Sequence, residues 1–338
     1  MIEIFTNIDQ IDKISWRKFV YDHPEGNIFQ TPEMFEVYKA TKNYNPIIVI
    51  CYNCLSKEID GILLAVIQQT YRGVIGFFTK RSIVLGGPLI KDNNTLVLNE
   101  IFYSYNKYIK YRAIYSQIRN LFNSSSYRTI FEQYLYRYEE HLNILIDLKK
   151  NEDQLWNEIN SKRKNEIRRA IKSGTTVKEV HSMSDFRSTY LILKEVYQRA
   201  KLPFPDYSLF NNCFSLLYPE GLMKVFCAYS DGNVIGTMIT LSYKNVLYDW
   251  YAGSYKTFYN KYPNDLIPWV VFITGKKHGF EIFDFGGAGN PHKPYKVRDY
   301  KKQFGGEMVN FGRYEKVHQK YFFGLVKLGF KVWQKLRK

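Results

Sequence analysis

Cysteine and histidine are scarce in this chain, four and six among 338 residues, and their scarcity removes whole classes of chemistry. Cys51, Cys54, Cys213 and Cys227 are too few and scattered for a disulfide framework, and they suit reduced thiols in a cytosol. Cys51 and Cys54 form a lone CxxC without a second pair or a clustered histidine, so neither zinc nor redox chemistry is expected there. No HExxH pattern and no GxSxG elbow occur. A dinucleotide fingerprint lacks its third glycine, because Gly287 and Gly289 run into Asn290-Pro291-His292. Thr274-Gly275-Lys276 lacks the earlier glycine of a phosphate-binding loop. No apolar run reaches the ~18–20 residues that cross a bilayer. The opening MIEIFTNIDQ has neither the basic nor the apolar region of a secretory signal. These absences lead us to expect a soluble, cytoplasmic protein with no metal, no resident cofactor and no covalent nucleophile.

Acidic residues are outnumbered, 32 against 48 Lys and Arg, leaving a net charge of +16. Such a surface attracts polyanions: nucleic acid, phosphorylated precursors or a lipid surface. Tyrosine (29) and phenylalanine (24) are abundant, which suits packed cores and stacking surfaces rather than disorder. The length favours two domains.

Thr31-Pro32-Glu33 predicts a helix start, with Thr as N-cap and Pro at the first helical position. Strands are predicted over 46–51, 59–68, 74–78 and 82–85, broken at Gly86-Gly87-Pro88. A helix over 96–110 and extended segments over 113–119 and 142–147 follow. Residues 152–174 read as one basic helix of about six turns closed by Gly174. In the second half, Asp231-Gly232 marks a hairpin between runs 223–229 and 234–243. A third run over 245–252, a helix over 264–278 and a strand over 281–285 complete the pattern. The order strand, strand, helix, strand therefore occurs twice. The division predicted is 1–150, 151–317 and a basic amphipathic helix over 318–338. That last helix either docks on the protein or lies on a membrane surface.

Residues 283–307 read FDFGGAGNPHKPYKVRDYKKQFGGE, a strand that ends at a glycine elbow beside an aspartate and a group of cations. Such a stretch predicts an anion site. With nucleophile and metal chemistry set aside, acyl transfer by direct attack remains. The protein then holds both reactants and stabilises the oxyanion of the tetrahedral intermediate.

The segments Lys276–Gly287 (KKHGFEIFDFGG) and 297–307 (VRDYKKQFGGE) resemble the Fem family of peptidoglycan-bridge aminoacyltransferases. Leu155-Trp156 with Lys162-Arg163 and Ile167-Arg168-Arg169-Ala170, and Pro263-Asn264-Asp265-Leu266-Ile267-Pro268-Trp269, are similar to two further family motifs. The resemblance covers about 150–315. It implies an α/β fold of two tandem GNAT-like domains, each a mixed sheet flanked by helices, without the coiled-coil arm of some members. It also implies an aminoacyl-tRNA donor and an amine acceptor on a lipid-linked or nucleotide-linked cell-wall precursor. The chain also resembles a looser branch associated with surface polysaccharide, which Lys201-Leu202-Pro203-Phe204-Pro205-Asp206 fits better. An acyl-CoA donor acting on an amino sugar is the alternative enzyme, and a non-catalytic tRNA- or lipid-binding module is the alternative class. The stretch 253–263 lacks the glycines that cradle a CoA pyrophosphate, which argues against CoA.

By the family motif, Lys301 inherits an active-site role, and Asp284 either assists the amine or caps the turn. Tyr300, Arg298, Arg199, Gly286 and Gly287 are the substrate-binding candidates, though Arg298 could instead pair with Asp299 or Glu307. Gly286, Gly287, Gly305 and Gly306 are expected to supply backbone conformations that other residues avoid. Lys162, Arg163 and Arg168 on the basic helix are the candidate tRNA contacts. Peripheral membrane contact would fall to the C-terminal helix.

Overall fold

The computed structural model describes residues 2–69, 76, 79–320 and 322–324. The chain divides into two compact units, Met1–Glu140 with Phe311–Lys338, and His141–Asn310.

The first unit carries β1 (Ile2–Phe5), β2 (Tyr44–Asn53), β3 (Glu58–Gln68), β4 (Arg81–Leu85), β5 (Leu89–Ile90), β6 (Tyr115–Arg119) and β7 (Arg137–Glu139). Its helices are α1 (Lys13–Asp22), α2 (Pro32–Ala40), α3 (Thr95–Ile109) and α4 (Arg128–Gln133). Thr31 caps α2 with its side chain and Pro32 opens it, as the sequence predicts. β3 is buried from Gly61 to Ile67 without alternation, the mark of a strand covered on both faces. The Gly86-Gly87 break is steric: a Cβ on either residue would stand 2.5 Å from the side chain of Asn27 or Gln30. Buried Gln30 accepts from Leu64 N at 2.8 Å and donates to Leu85 O at 2.8 Å, so its amide bridges β3 and the end of β4 at the break. The strand predicted over 74–78 lies outside the described residues, Gly76 apart.

The second unit carries β8 (Leu142–Asp147), β9 (Thr176–Glu179), β10 (Met223–Ser230), β11 (Asn233–Tyr243), β12 (Val246–Ser254), β13 (Ile282–Gly289) and β14 (Glu307–Asn310). Its helices are α5 (Glu152–Glu158), α6 (Ser161–Lys172), α7 (Met183–Arg199), α8 (Tyr207–Leu217), α9 (Pro263–Lys277) and α10 (Lys296–Lys301). The β10–β11 hairpin turns at Asp231 (φ 50°) and Gly232 (φ 77°), the two positive φ values that a tight hairpin needs. The chain then returns to the first sheet as β15 (Arg313–Val317), between β6 and β7.

The strand orders match position for position. The first sheet runs β1-β2-β3-β4-β6-β15-β7, with β5 also on β3. The second runs β9-β10-β11-β12-β13-β8-β14 when read from its other edge. In each, a helix crosses over to a parallel neighbour: β4 to β6 through α3, and β12 to β13 through α9. This is the repeat expected from sequence, two tandem GNAT-like α/β units. The contact division differs from the 150/151 and 317/318 boundaries of the sequence reading. β8 belongs to the second sheet and β15 to the first, because each strand pairs with a neighbour remote in sequence.

The basic helix predicted over 152–174 is two helices. Ile159 is extended (ψ 133°) and 2% exposed, so its burial breaks the helix. Asn160 then caps the restart, accepting from Lys162 N at 2.9 Å. The amphipathic run predicted over 318–338 lies outside the described residues beyond Gly324, as does Tyr321. Among the described residues, no helix is long and apolar enough to cross a membrane.

Candidate active site

In the first sheet the parallel pair stays together from Arg81↔Tyr115 to Leu85↔Arg119. In the second it lasts only from Val246↔Ile282 to Tyr248↔Asp284, after which β12 follows β11 and β13 follows β8. The strands part at Asp249 and Phe285. A parting of parallel strands leaves backbone and side chains unpaired at one point inside a sheet, where a ligand can enter.

Two irregularities aim side chains into that point. β12 has a bulge between Asp249 and Tyr251, opposite Thr240/Ile239. Leu247 joins the α9-side core with Phe272, whereas Tyr251 packs edge-on against Phe210 from α8 and tilted against Tyr197 from α7. Alternation would put Leu247 and Tyr251 on one face, so the bulge at Trp250 is what switches faces. β13 loses register with β8 between Asp284 and Gly287, and again before Gly289. There Gly286 (φ 70°) donates its N–H to Asp284 Oδ1 at 2.7 Å. A turn of this hand disfavours any side chain. Phe283 and Phe285 anchor the strand in the core beneath.

Three ionisable groups meet at the parting. Lys301, 12% exposed, donates to Phe285 O and, at 3.5 Å, to Gly287 O. Its ammonium stands 3.9 Å from Asp249 Oδ2. The Asp249 side chain is 9% exposed. Burial pushes its carboxyl up to about 6, against the pull of Lys301 and with a further push from Asp284. Asp284 is 3% exposed; burial also raises its carboxyl, while Gly286 N–H, Asn143 and Lys301 pull it back. Both Asp284 oxygens accept from Asn143 Nδ2 at 3.2 Å. Asp284 is thus the cap of the glycine turn, and Asp249 is the carboxylate next to the cation.

Asp249 is absent from the sequence candidates, although a signal exists. It is a lone charge inside Leu247-Tyr248-Asp249-Trp250-Tyr251, a strand otherwise apolar and aromatic, where a charge is costly unless it is used.

The other candidates are distributed as follows. Tyr300 packs its ring against Phe304 at 5.3 Å and donates to Asn264 O, so its hydroxyl is engaged within the fold. Arg298 pairs with neither Asp299 nor Glu307: its guanidinium binds Asn290 O and Lys293 O, each at 2.7 Å, and ties down the loop after β13. Arg199 binds Tyr259 Oη at 2.8 Å and Ser254 O at 3.3 Å, at the far end of β12 from Asp249. Gly286 has the expected positive φ, as have Gly305 and Gly306, but Gly287 does not; Gly289 (φ 75°) does instead. On α6, Lys162 and Arg168 are exposed. Arg163 is not: its side chain is 13% exposed and bound to Asp265, to Glu166 at 2.6 Å and to Gln303 at 2.9 Å. Among the described residues, no group of His, Cys, Asp and Glu could hold a metal ion.

Residues 161–301, from the first residue of α6 to Lys301, match the model of the acetyltransferase (GNAT) domain family. The chain carries a GNAT acyltransferase domain within a FemX-like fold. The structure of FemX aligns over 96% of this chain and 99% of its own, with a TM-score of 0.73 and 16% identity. L-PGS from Bacillus licheniformis aligns over 94% and 96%, at 0.55 and 14%. A tandem GNAT protein from the clavulanic acid biosynthesis pathway aligns over 94% and 99%, at 0.59 and 8%. No curated protein matches. Asp249, Lys301 and the glycine turn, at the parting of β12 and β13, all lie within the matched residues.

Proposed function

We propose that the protein is an aminoacyltransferase that moves an aminoacyl group from aminoacyl-tRNA to an amine of a cell-wall precursor by direct attack. One observation carries the chemistry: a carboxylate with a carboxyl raised to about 6, and a lysine ammonium 3.9 Å away, at the point where the sheet opens. A base in that range is largely ionised at neutral pH and still accepts a proton. As the acceptor nitrogen bonds to the acyl carbon, Asp249 takes the amine's proton. The ester C–O bond then breaks, and the departing tRNA oxygen takes the proton that Asp249 holds and leaves as a hydroxyl. The Lys301 ammonium has three donors, two of them directed at Phe285 O and Gly287 O. Its remaining donor and its charge serve the developing oxyanion or fix the acyl donor. Asp284 holds the turn on which this depends.

The aminoacyl donor is supported by the Fem-like motifs over 276–287 and 297–307, by the FemX-like fold and by the net charge of +16. The acetyltransferase family match favours a second reading, an acyl-CoA donor acting on an amino sugar of a surface polysaccharide. A transfer assay separates them. Charged tRNAs, and separately acyl-CoAs, are offered with lipid-linked and nucleotide-linked precursors, and we expect product only with tRNA. Transfer from CoA alone overturns the donor assignment.

Of the three candidate tRNA contacts on α6, Lys162 and Arg168 are exposed, whereas Arg163 is held by internal partners, so the test uses the first two. Tightness of binding should fall steeply with salt. Lys162→Gln with Arg168→Gln should flatten the log–log slope by roughly 1.5, two phosphate contacts' worth. An unchanged slope removes α6 from the interface.

A further inference from the structure

Arg163 sits in a basic helix, yet its guanidinium faces inward. Nε donates to Gln303 Oε1 at 2.9 Å, and Nη1 meets both Asp265 and Glu166. Its Cζ lies 5.4 Å from the centre of the Tyr300 ring. Two of these partners, Gln303 and Tyr300, belong to the segment that carries Lys301. Gln303 donates to Asp299 O at 2.9 Å, and its own carbonyl accepts from Asn160 N at 2.8 Å. Tyr300 donates to Asn264 O at the start of α9, two residues before the core residue Leu266. Phe304 is buried in the core. Lys301 therefore lies between Tyr300 and Gln303 in the chain, and Arg163 touches both. Burying a guanidinium with two carboxylates is costly and adds little stability compared with apolar packing. It does fix geometry, because the planar fork binds Gln303 and the carboxylates in one orientation only.

We propose that Arg163 is a positioning residue: by clamping Tyr300 and Gln303 to the N-terminus of α9, it sets where the Lys301 ammonium stands relative to Asp249. This rests on the acyl-transfer reading of Asp249 and Lys301. The charged groups that face Asp249 are Lys301 and Asp284, and those that face Arg163 are Asp265 and Glu166. Loosening the clamp lets the ammonium retreat, and the Asp249 carboxyl, less opposed, binds its proton more tightly.

The test compares pH profiles of kcat for wild type, Arg163→Gln, Arg163→Lys, Gln303→Ala and Lys301→Ala. Ile167→Val, a core truncation on the same helix, serves as control. Arg163→Gln should lower kcat roughly tenfold or more, since small displacements at a reacting centre are expensive, with the donor KM changed less. Its acidic limb should move to higher pH by roughly half a unit, part of the change that losing a nearby opposite charge produces. Arg163→Lys keeps the charge without the fork and should recover part of the limb position but not all of it. Ile167→Val should lower the melting temperature and leave the limb in place. If Arg163→Gln does not fold, Gln303→Ala opens the other side of the same clamp and should move the limb equally. A limb unmoved in both clamp variants, but moved in Lys301→Ala, overturns the proposal alone. A limb unmoved in Lys301→Ala overturns the site reading beneath it. An Arg163→Gln protein with normal kcat and a flattened tRNA salt slope would return Arg163 to the nucleic-acid surface.

Discussion

Asp249→Asn should leave a protein that is more stable at pH 8 and nearly inactive. In the folded chain the Asp249 carboxyl is raised from 3.8 to about 6 by burial, ahead of the opposing pull of Lys301. A raised carboxyl means that the fold holds the proton better than the unfolded chain does. The stability this brings is fully present below pH 4 and is lost as pH rises through about 6. At pH 8 the buried, ionised group therefore costs up to about 3 kcal/mol, because each tenfold gain in proton affinity is worth about 1.4 kcal/mol. Asparagine keeps the shape and removes the charge. Part of the gain is offset, because Lys301 loses its counter-charge. We expect a net gain of about 1–2 kcal/mol, or a rise in melting temperature of several degrees. At pH 4, where the wild-type carboxyl is already neutral, the gain should vanish. Removing a general base costs roughly 10²–10⁴ in rate. Melting curves at the two pH values and single-turnover transfer rates check both halves. A variant that keeps more than a tenth of wild-type activity, or melts lower at pH 8, would remove Asp249 from the mechanism.

Lys301→Ala should slow transfer about a hundredfold, the usual loss of about 3 kcal/mol when one electrostatic stabiliser of an oxyanion goes. The structure adds a second expectation. The ammonium opposes the effect of burial on Asp249, so its loss should move the acidic limb of the pH–rate profile to higher pH than in wild type. Stability should respond in the same sense. Without the cation, ionised Asp249 is buried alone, so the variant should melt several degrees lower at pH 8. At pH 5, where Asp249 is mostly protonated, the loss should be smaller. Equal melting losses at both pH values would mean that Lys301 acts only as a strut for the Phe285 carbonyl. A normal rate would show that its charge plays no part in catalysis.

How much of this was legible in the sequence depends on the distance over which each feature is decided. The α2 cap at Thr31-Pro32, the Asp231-Gly232 hairpin and the glycine turn at Gly286 are each decided within a few residues, and sequence reasoning finds them. The tandem repeat was legible because the order of elements is itself a sequence property. The break at Ile159-Asn160 was less visible. It depends on whether Ile159 is buried, and helix propensity alone carries the pattern straight through.

What the sequence determined by itself is therefore the class of the molecule: two α/β units in tandem, a surface suited to polyanions, and a lysine beside a glycine-ended strand. Tertiary structure decided the site. Whether two parallel strands stay paired or part is a matter of register with strands remote in sequence, so only the assembled sheet shows that β12 and β13 separate at Asp249 and Phe285. Asp249 and Lys301 lie 52 positions apart, and no local pattern links them. Arg163 and Lys162 are adjacent cations of the same helix, one bound to two carboxylates and the other exposed to solvent. Charge is a property of composition, whereas the direction in which a charge points is fixed by packing, and here that direction separates a positioning group from a surface one.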